Sequence, residues 1–493
     1  MSATNAPDIK KKIITDTVKF SGGYGLSQVI GFFTAILQRR FLGPYYMGIW
    51  SMLKVVQSYF DYLCLGVDSA AAYKIPFYRG KGDQGSSEET LDVVFGFILL
   101  VSVLSSLCLI AAAFIFRNSY PIEITVGLIV LAIYIILARI YGVYLIAIRA
   151  YKNISVLTRS VLFDAVFNLI LVAIFVGRYQ IYGLFAVISV MAVANTLFIH
   201  FQTGYNIRFK IRYERVKELV AYGLPLFLYS FMGCTLRSID RIMVANMMGM
   251  TYVGFYSLAN MTTNYVQGIS NSFGIVTIPH MQDCYGEKEN VDNIKKFVTA
   301  SAEIITYLLV PLLGLIYLAS PLLIKTLLPK YVPGIAVMQI LLLDSLFSSA
   351  CVQSQQFIVT IGKQIKLLPV FILTLVLNIV LNYAAIRTGY GIAGVALSTS
   401  ISSFFYFAVV TIYAMRYFAS VGYIARFFGV LMMPVICIIF VLFLLGKFLI
   451  ISDQWYKFFV DSLIMMLVSL PFIWTINKKY GLIEHIFGKK KTV

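Results

Sequence analysis

The sequence predicts an all-α polytopic membrane protein: about 14 transmembrane helices, arranged as two homologous six-helix lobes with two extra C-terminal helices. Three observations predict it. Of the 493 residues, 60% are hydrophobic and 13% charged, with a mean hydropathy of +0.84. A soluble fold of that length could not bury so much apolar surface. The apolar residues gather into runs of about 20, the length that crosses a bilayer. Finally, short blocks of residues recur in the same order in two halves of the chain.

The elements follow in order. The segment "MSATNAPDIKKK" is polar and lacks the apolar core and small-residue cleavage site of a signal peptide, so the first apolar run is read as the first span. Spans centre near residues 29, 56, 103, 135, 167, 190, 232, 262, 309, 346, 375, 402, 436 and 466. With the N-terminus inside, the segments on that side hold most of the 40 Lys and Arg residues, which predicts that both termini are cytoplasmic. The net charge of +18 therefore reports topology. The basic stretch "FKIRYERVKELV" (209–220) and the tail "GKKKTV" are read as anchors on an anionic leaflet, with no nucleic acid as partner. Six scattered cysteines and three scattered histidines suggest neither a disulfide frame nor a metal site. No loop is long enough to fold as a catalytic domain, which argues against a glycan ligase or polymerase.

The repeat sets the domain plan. "FLGPYYMGIWSM" (41–52) aligns with "MMGMTYVGFYSL" (247–258), pairing Gly43 with Gly249, Gly48 with Gly254 and Ser51 with Ser257. "IPFYRGKGD" (75–83) is followed in the second half by "IPHMQDCYGEKE" (278–289). Lys152, Tyr179, Ile181 and Gly183 match Lys363, Tyr390, Ile392 and Gly394, and Asn168 matches Asn378. The expected domains are an N-terminal lobe (1–212), a C-terminal lobe (213–418) and an extension with a basic tail (419–493). Six is an even number of spans, so the lobes share one orientation and are related by an axis along the membrane normal.

Within the second span, "IWSMLKVVQSYFDYL" (49–63) carries Lys54, Gln57, Ser58 and Asp61 on one helical face. The repeat places Asn260, Thr263, Asn264 and Gln267 at the same positions of the eighth span. Polar groups in hydrocarbon face protein or water, so paired stripes predict a hydrated transport path.

"RRFLGPYYMGIWSM", "GLPLFLYSFMGCTLRSIDRIMVANMMG" and "GFYSLAN" resemble the polysaccharide-biosynthesis proteins, Wzx-like oligosaccharide-lipid flippases of the multidrug/oligosaccharidyl-lipid/polysaccharide exporter superfamily. The resemblance covers nearly the whole chain. It implies translocation of polyprenyl-pyrophosphate-linked oligosaccharide across the cytoplasmic membrane by alternating access. It also implies membrane lipids and a polysaccharide polymerase or glycosyltransferases as partners. A cation-coupled multidrug exporter of the same superfamily is the alternative, and Lys54 argues against it.

For a pyrophosphate-linked glycan, the basic candidates are Lys54, Arg40, Arg237 and Arg241, because guanidinium and ammonium groups bind phosphate oxygens. Gln57, Ser58, Asn260, Asn264 and Gln267 offer the amides and hydroxyls that sugars need. Asp61, Asp164 and Asp344 are candidates for coupling H⁺ or Na⁺; no other cofactor is expected. Structural readings stand beside these. Lys54 and Asp61 lie two turns apart and could pair. Asp240 could bridge Arg237 on its own helix, and Arg139 could pair with Asp164. Lys74, Asp68 and Glu303 are expected to snorkel at span ends.

Overall fold

The computed structural model describes residues 6–288, 291–448 and 454–481. The tail "GKKKTV" lies outside them. The described residues form fourteen α-helices and no strand. In order they are α1 (Ala6–Asp61), α2 (Val67–Gly80), α3 (Gln84–Ile115), α4 (Ile122–Ala150), α5 (Ile154–Leu171), α6 (Gly177–Thr203), α7 (Tyr213–Met247), α8 (Met250–Lys288), α9 (Lys295–Leu327), α10 (Ile335–Thr360), α11 (Leu368–Arg387), α12 (Gly391–Met415), α13 (Val421–Phe448) and α14 (Gln454–Tyr480). Each expected span centre falls in a helix.

Helix boundaries follow local chemistry. α1 carries the first two expected centres because its two arms meet at Gly43 (φ 70°, ψ 176°). Pro44 disfavours a helical residue before it, and glycine accepts the positive φ that remains. Gly249, its partner in the repeat, also has positive φ (100°). α5 runs through a π-turn (Val172–Val176) into α6, which breaks at Gln180 (φ 51°, ψ −127°). Gly183 follows that break, and a Cβ there would lie 2.2 Å from the Phe175 carbonyl oxygen. Asp83 caps α3, accepting the Ser86 N–H at 2.9 Å. These bonds to Ser86 hold its carboxyl below the usual carboxylate range.

Among the described residues, ten stretches are long and apolar enough to cross a membrane. α1 and α8 are not among them; these are the helices that carry the two polar stripes.

The chain divides into two compact units, Met1–Cys234 and Thr235–Val493, and the division falls inside α7. In unit 1, small residues of α2 (Ala70, Ala71) pack with Val94 and Ile98 of α3, Ala147 of α4 and Leu219 of α7. Small residues suit a membrane setting, where close contact between backbones replaces the hydrophobic drive. Gly66 and Gly223 show this best: a Cβ on either would lie 2.3 Å from the other's carbonyl oxygen. Beside them Tyr73 stacks on Tyr222 (5.4 Å) and Lys74 pairs with Glu218 (2.8 Å), so Lys74 is ion-paired where snorkelling is expected.

The segment between α6 and α7 is strapped to α3. Glu89 takes Lys210 at 2.8 Å and Arg212 at 2.9 Å. Asp92 accepts the Arg208 N–H (2.8 Å). Gly96 leaves room for the strap: a Cβ there would meet the Lys210 carbonyl oxygen at 2.3 Å.

In unit 2, α13 and α14 pack on α9. Met465 fills the space over Gly314, and Glu303 binds Lys479 at 2.6 Å and the Tyr480 hydroxyl at 2.9 Å. Glu303 is buried, which corrects the expectation that it snorkels. Its two partners come from a helix too distant in sequence for spacing to reveal.

Candidate functional site

The stripe on the second arm of α1 borders a cavity of about 470 Å³ inside unit 1. Lys54, Gln57, Ser58 and Asp61 line it from α1. Tyr134 and Tyr141 face it from α4, Asp164 and Asn168 from α5, and Asn195 from α6. The helical period brings the stripe to one side, and the break at Gly43 starts the arm that carries it.

The Lys54 ammonium stands over the Trp50 ring, 5.2 Å from its centroid, a cation–π contact that holds a charged head beside an apolar wall. Asp61 pairs with Arg139 of α4 at 3.1 Å. Arg139 also donates to the Asp61 main-chain carbonyl, where α1 ends. Asp164 accepts a hydrogen bond from the Asn195 amide at 2.6 Å. Arg139 therefore partners Asp61, not Asp164 as expected, and Asp61 turns to Arg139 where a pairing with Lys54 was the other reading. Ser58 donates back to the Val55 carbonyl (2.8 Å), one turn earlier on its own helix. The cavity is thus lined by one ammonium, two carboxylates (Asp61 paired with Arg139, Asp164 amide-bound) and three aromatic rings. It can take a ligand that presents an anionic group together with hydroxyls and flat apolar faces.

The remaining candidates are not among the residues that line this cavity. Arg40 is exposed near the end of the first arm of α1, whereas Arg39 is buried and donates to the Ala35 carbonyl at 3.0 Å. Arg237, Arg241, Asn260, Asn264, Gln267 and Asp344 belong to unit 2. Arg241 donates to the Arg237 carbonyl (3.3 Å). Along α8, Asn264 is exposed but Thr263 is buried, its hydroxyl turned back to the Asn260 carbonyl at 3.0 Å. Asp344 accepts from Ser403 of α12 and, at 3.3 Å, from Ser348.

Asp240 is the group that sequence reasoning undervalued. It is 3% exposed, and both carboxylate oxygens are bound from other helices: Asn382 at 2.8 Å, Thr399 at 2.9 Å and Tyr256 at 2.9 Å. Asn382 also donates to Asn378 (2.9 Å), and its own side-chain oxygen is buried without a hydrogen-bond partner. The expected bridge to Arg237 along α7 is replaced by these neutral donors. The available signal was the pair Asn378 and Asn382, one turn apart in an otherwise apolar run.

With this geometry in view, the fold can be placed. It is that of transporters of the MOP superfamily. A structure described as the lipid II flippase MurJ, in an inward closed conformation, matches with TM-score 0.71 and 15% identity over 94% of this chain and 99% of that one. An inward-facing multidrug-resistance MATE family transporter of the superfamily matches with TM-score 0.67 and 16% identity, covering 82% and 96%. A superfamily transporter from Pyrococcus furiosus, described as having a binding pocket of reversed polarity, matches with TM-score 0.55 and 16% identity, covering 84% and 96%. No curated protein sequence matches. The chain belongs to the polysaccharide biosynthesis protein family, whose model matches residues 39–331.

Proposed function

We propose that the protein carries polyprenyl-pyrophosphate-linked oligosaccharide across the cytoplasmic membrane by alternating access, for surface polysaccharide synthesis. One observation carries the reading: in a chain of this family, the unit 1 cavity combines the Lys54 ammonium with Trp50, Tyr134 and Tyr141 and with amide and carboxylate groups. Aromatic faces and amides suit sugar rings, and an ammonium suits a phosphate oxygen. Arg40 of unit 1 and Arg237, Arg241, Asn260, Asn264 and Gln267 of unit 2 remain candidates for contacts made at other stages of transit. The Lys and Arg asymmetry supports cytoplasmic termini, and the cargo implies glycosyltransferases and a polymerase as partners.

Two carboxylates in unit 2 support coupling to H⁺ or Na⁺. Asp240, ringed by Asn378, Asn382, Thr399 and Tyr256, offers oxygen ligands in a buried setting, and Asp344 offers a second such group. Asp240 thus joins Asp61, Asp164 and Asp344 as a coupling candidate, though the Arg139 pair makes Asp61 the weakest of them.

A cation-coupled drug exporter is the second reading, favoured by Asp164 among aromatic rings in the same cavity. An organic cation would be repelled by Lys54, so the two readings predict opposite effects of removing it. In a strain lacking its own flippase, Lys54→Ala should abolish surface polysaccharide at unchanged protein abundance. Full export by that variant, or improved efflux of organic cations, would overturn the glycan reading.

A further inference from the structure

A second cleft of about 520 Å³ opens in unit 1, away from the Lys54 cavity, where α3 begins, α4 ends and the strap crosses. One wall is a face of α3 bearing Gln84, Ser87, Glu88 and Asp92 at helical spacing. The opposite wall carries Arg79 and Arg208 with Tyr151 and Tyr205. The walls are built rather than draped: Arg79 stacks on Tyr151 (4.6 Å) and donates to the Ala150 carbonyl (3.1 Å). Tyr151 meets Tyr205 edge-on at 5.0 Å, and Asp92 pins the Arg208 main chain.

Charges of both signs face this cleft without cancelling. Among the described residues, none of Arg79, Arg208, Glu88 and Asp92 forms a salt bridge. Their influence converges on Tyr151, whose hydroxyl is pushed up by burial and then by Glu88, with Arg79 opposing. Ser87 adds an independent sign of a ligand: it is 1% exposed, lines the cleft, and its hydroxyl has no hydrogen-bond partner. A buried hydroxyl left unmatched costs free energy unless something binds it. An anion alone would leave the acidic wall unmatched, and a cation alone would leave the arginines. The site calls for one small molecule bearing both charges.

We propose that this cleft binds a phosphoethanolamine group, its phosphate held by Arg79 and Arg208 and its ammonium by Glu88 and Asp92. Planar guanidinium groups grip phosphate oxygens in pairs, while a primary ammonium brings three donors to carboxylates. The cleft lies at the start of one candidate span (Gln84–Ile115) and the end of another (Ile122–Ala150), so the group can come from a lipid headgroup or from a soluble phosphoethanolamine. The proposal does not depend on the transport reading.

The test uses the purified full chain and native mass spectrometry. Phosphatidylethanolamine should be retained at least five-fold over phosphatidylcholine, whose quaternary amine cannot donate, and over phosphatidylglycerol, which has no amine. Glu88→Gln should erase the preference over phosphatidylglycerol, and Arg208→Ala should weaken retention of both at least five-fold. Both side chains are exposed and, among the described residues, neither forms a salt bridge, so melting temperatures should stay unchanged. Soluble phosphoethanolamine that displaces the lipid from wild type would name the free compound as a ligand too. Retention without displacement would name the lipid alone. Equal retention of the three lipids, or a preference that survives Glu88→Gln, overturns the site.

Discussion

Asp61 illustrates how one side chain can be needed twice, as an ion-pair partner and as the last residue of a helix. Arg139 grips both its carboxylate and its carbonyl, so Arg139→Ala should leave a helix end and a charge unmatched. Asp61 is 43% exposed on its side chain, which screens the pair, and the expected loss is about 1 kcal/mol. The double variant Arg139→Ala/Asp61→Asn should recover part of it, since the stranded charge is gone; thermal unfolding in detergent reads both. For Lys54 the expected rank in export is wild type, then Lys54→Arg, then Lys54→Ala, because a wide contact values charge above shape. Adding Asp61→Ala to Lys54→Ala should restore nothing, as Asp61 belongs to Arg139. Rescue by that pair would return Lys54 to a structural role. The stripe itself could be read from spacing in one helix. The partners could not, because Arg139, Asn195 and Trp50 meet it only through packing of helices far apart in sequence.

Helices were legible as apolar runs, and the break at Gly43–Pro44 was written in two residues whose backbone habits are fixed. The break at Gln180 was not, since glutamine does not announce a positive φ. The repeat places Gly391 (φ 59°) at the matching position of the second half, so one unit uses glycine where the other strains a glutamine. Gln180→Gly should therefore stabilise the protein by about 1 kcal/mol, and Gly391→Gln should destabilise it by a similar amount. Unfolding midpoints that fail to move in opposite directions would sink the comparison. On α8 the spacing alone set Thr263 in the stripe, but its buried hydroxyl turns inward and Asn264 is the exposed neighbour. A cysteine at 264 should react with a water-soluble thiol reagent faster than one at 263. Equal rates would mean that this face of α8 is misassigned.

At the scale of the whole chain, the charge asymmetry predicts that residues 152 and 214 face the same compartment as both termini. Impermeant thiol reagents applied to intact cells should spare cysteines at Lys152 and Glu214 and label them only after permeabilisation. Labelling of residue 214 in intact cells would overturn the parallel arrangement of the halves. The strap between α6 and α7 is a tempting place to divide the molecule, yet the first half of α7 completes unit 1 through Gly223, Tyr222, Glu218 and Leu219. During synthesis, then, the first six spans can be threaded into the bilayer and still lack their final wall. Gly66 has no opposing backbone and Lys74 no carboxylate until the ribosome has passed residue 223. A nascent chain stalled at 212 should be a substrate for membrane quality-control proteases, while one stalled after α7 should escape them. The schedule of translation is thereby part of how this protein acquires its first lobe.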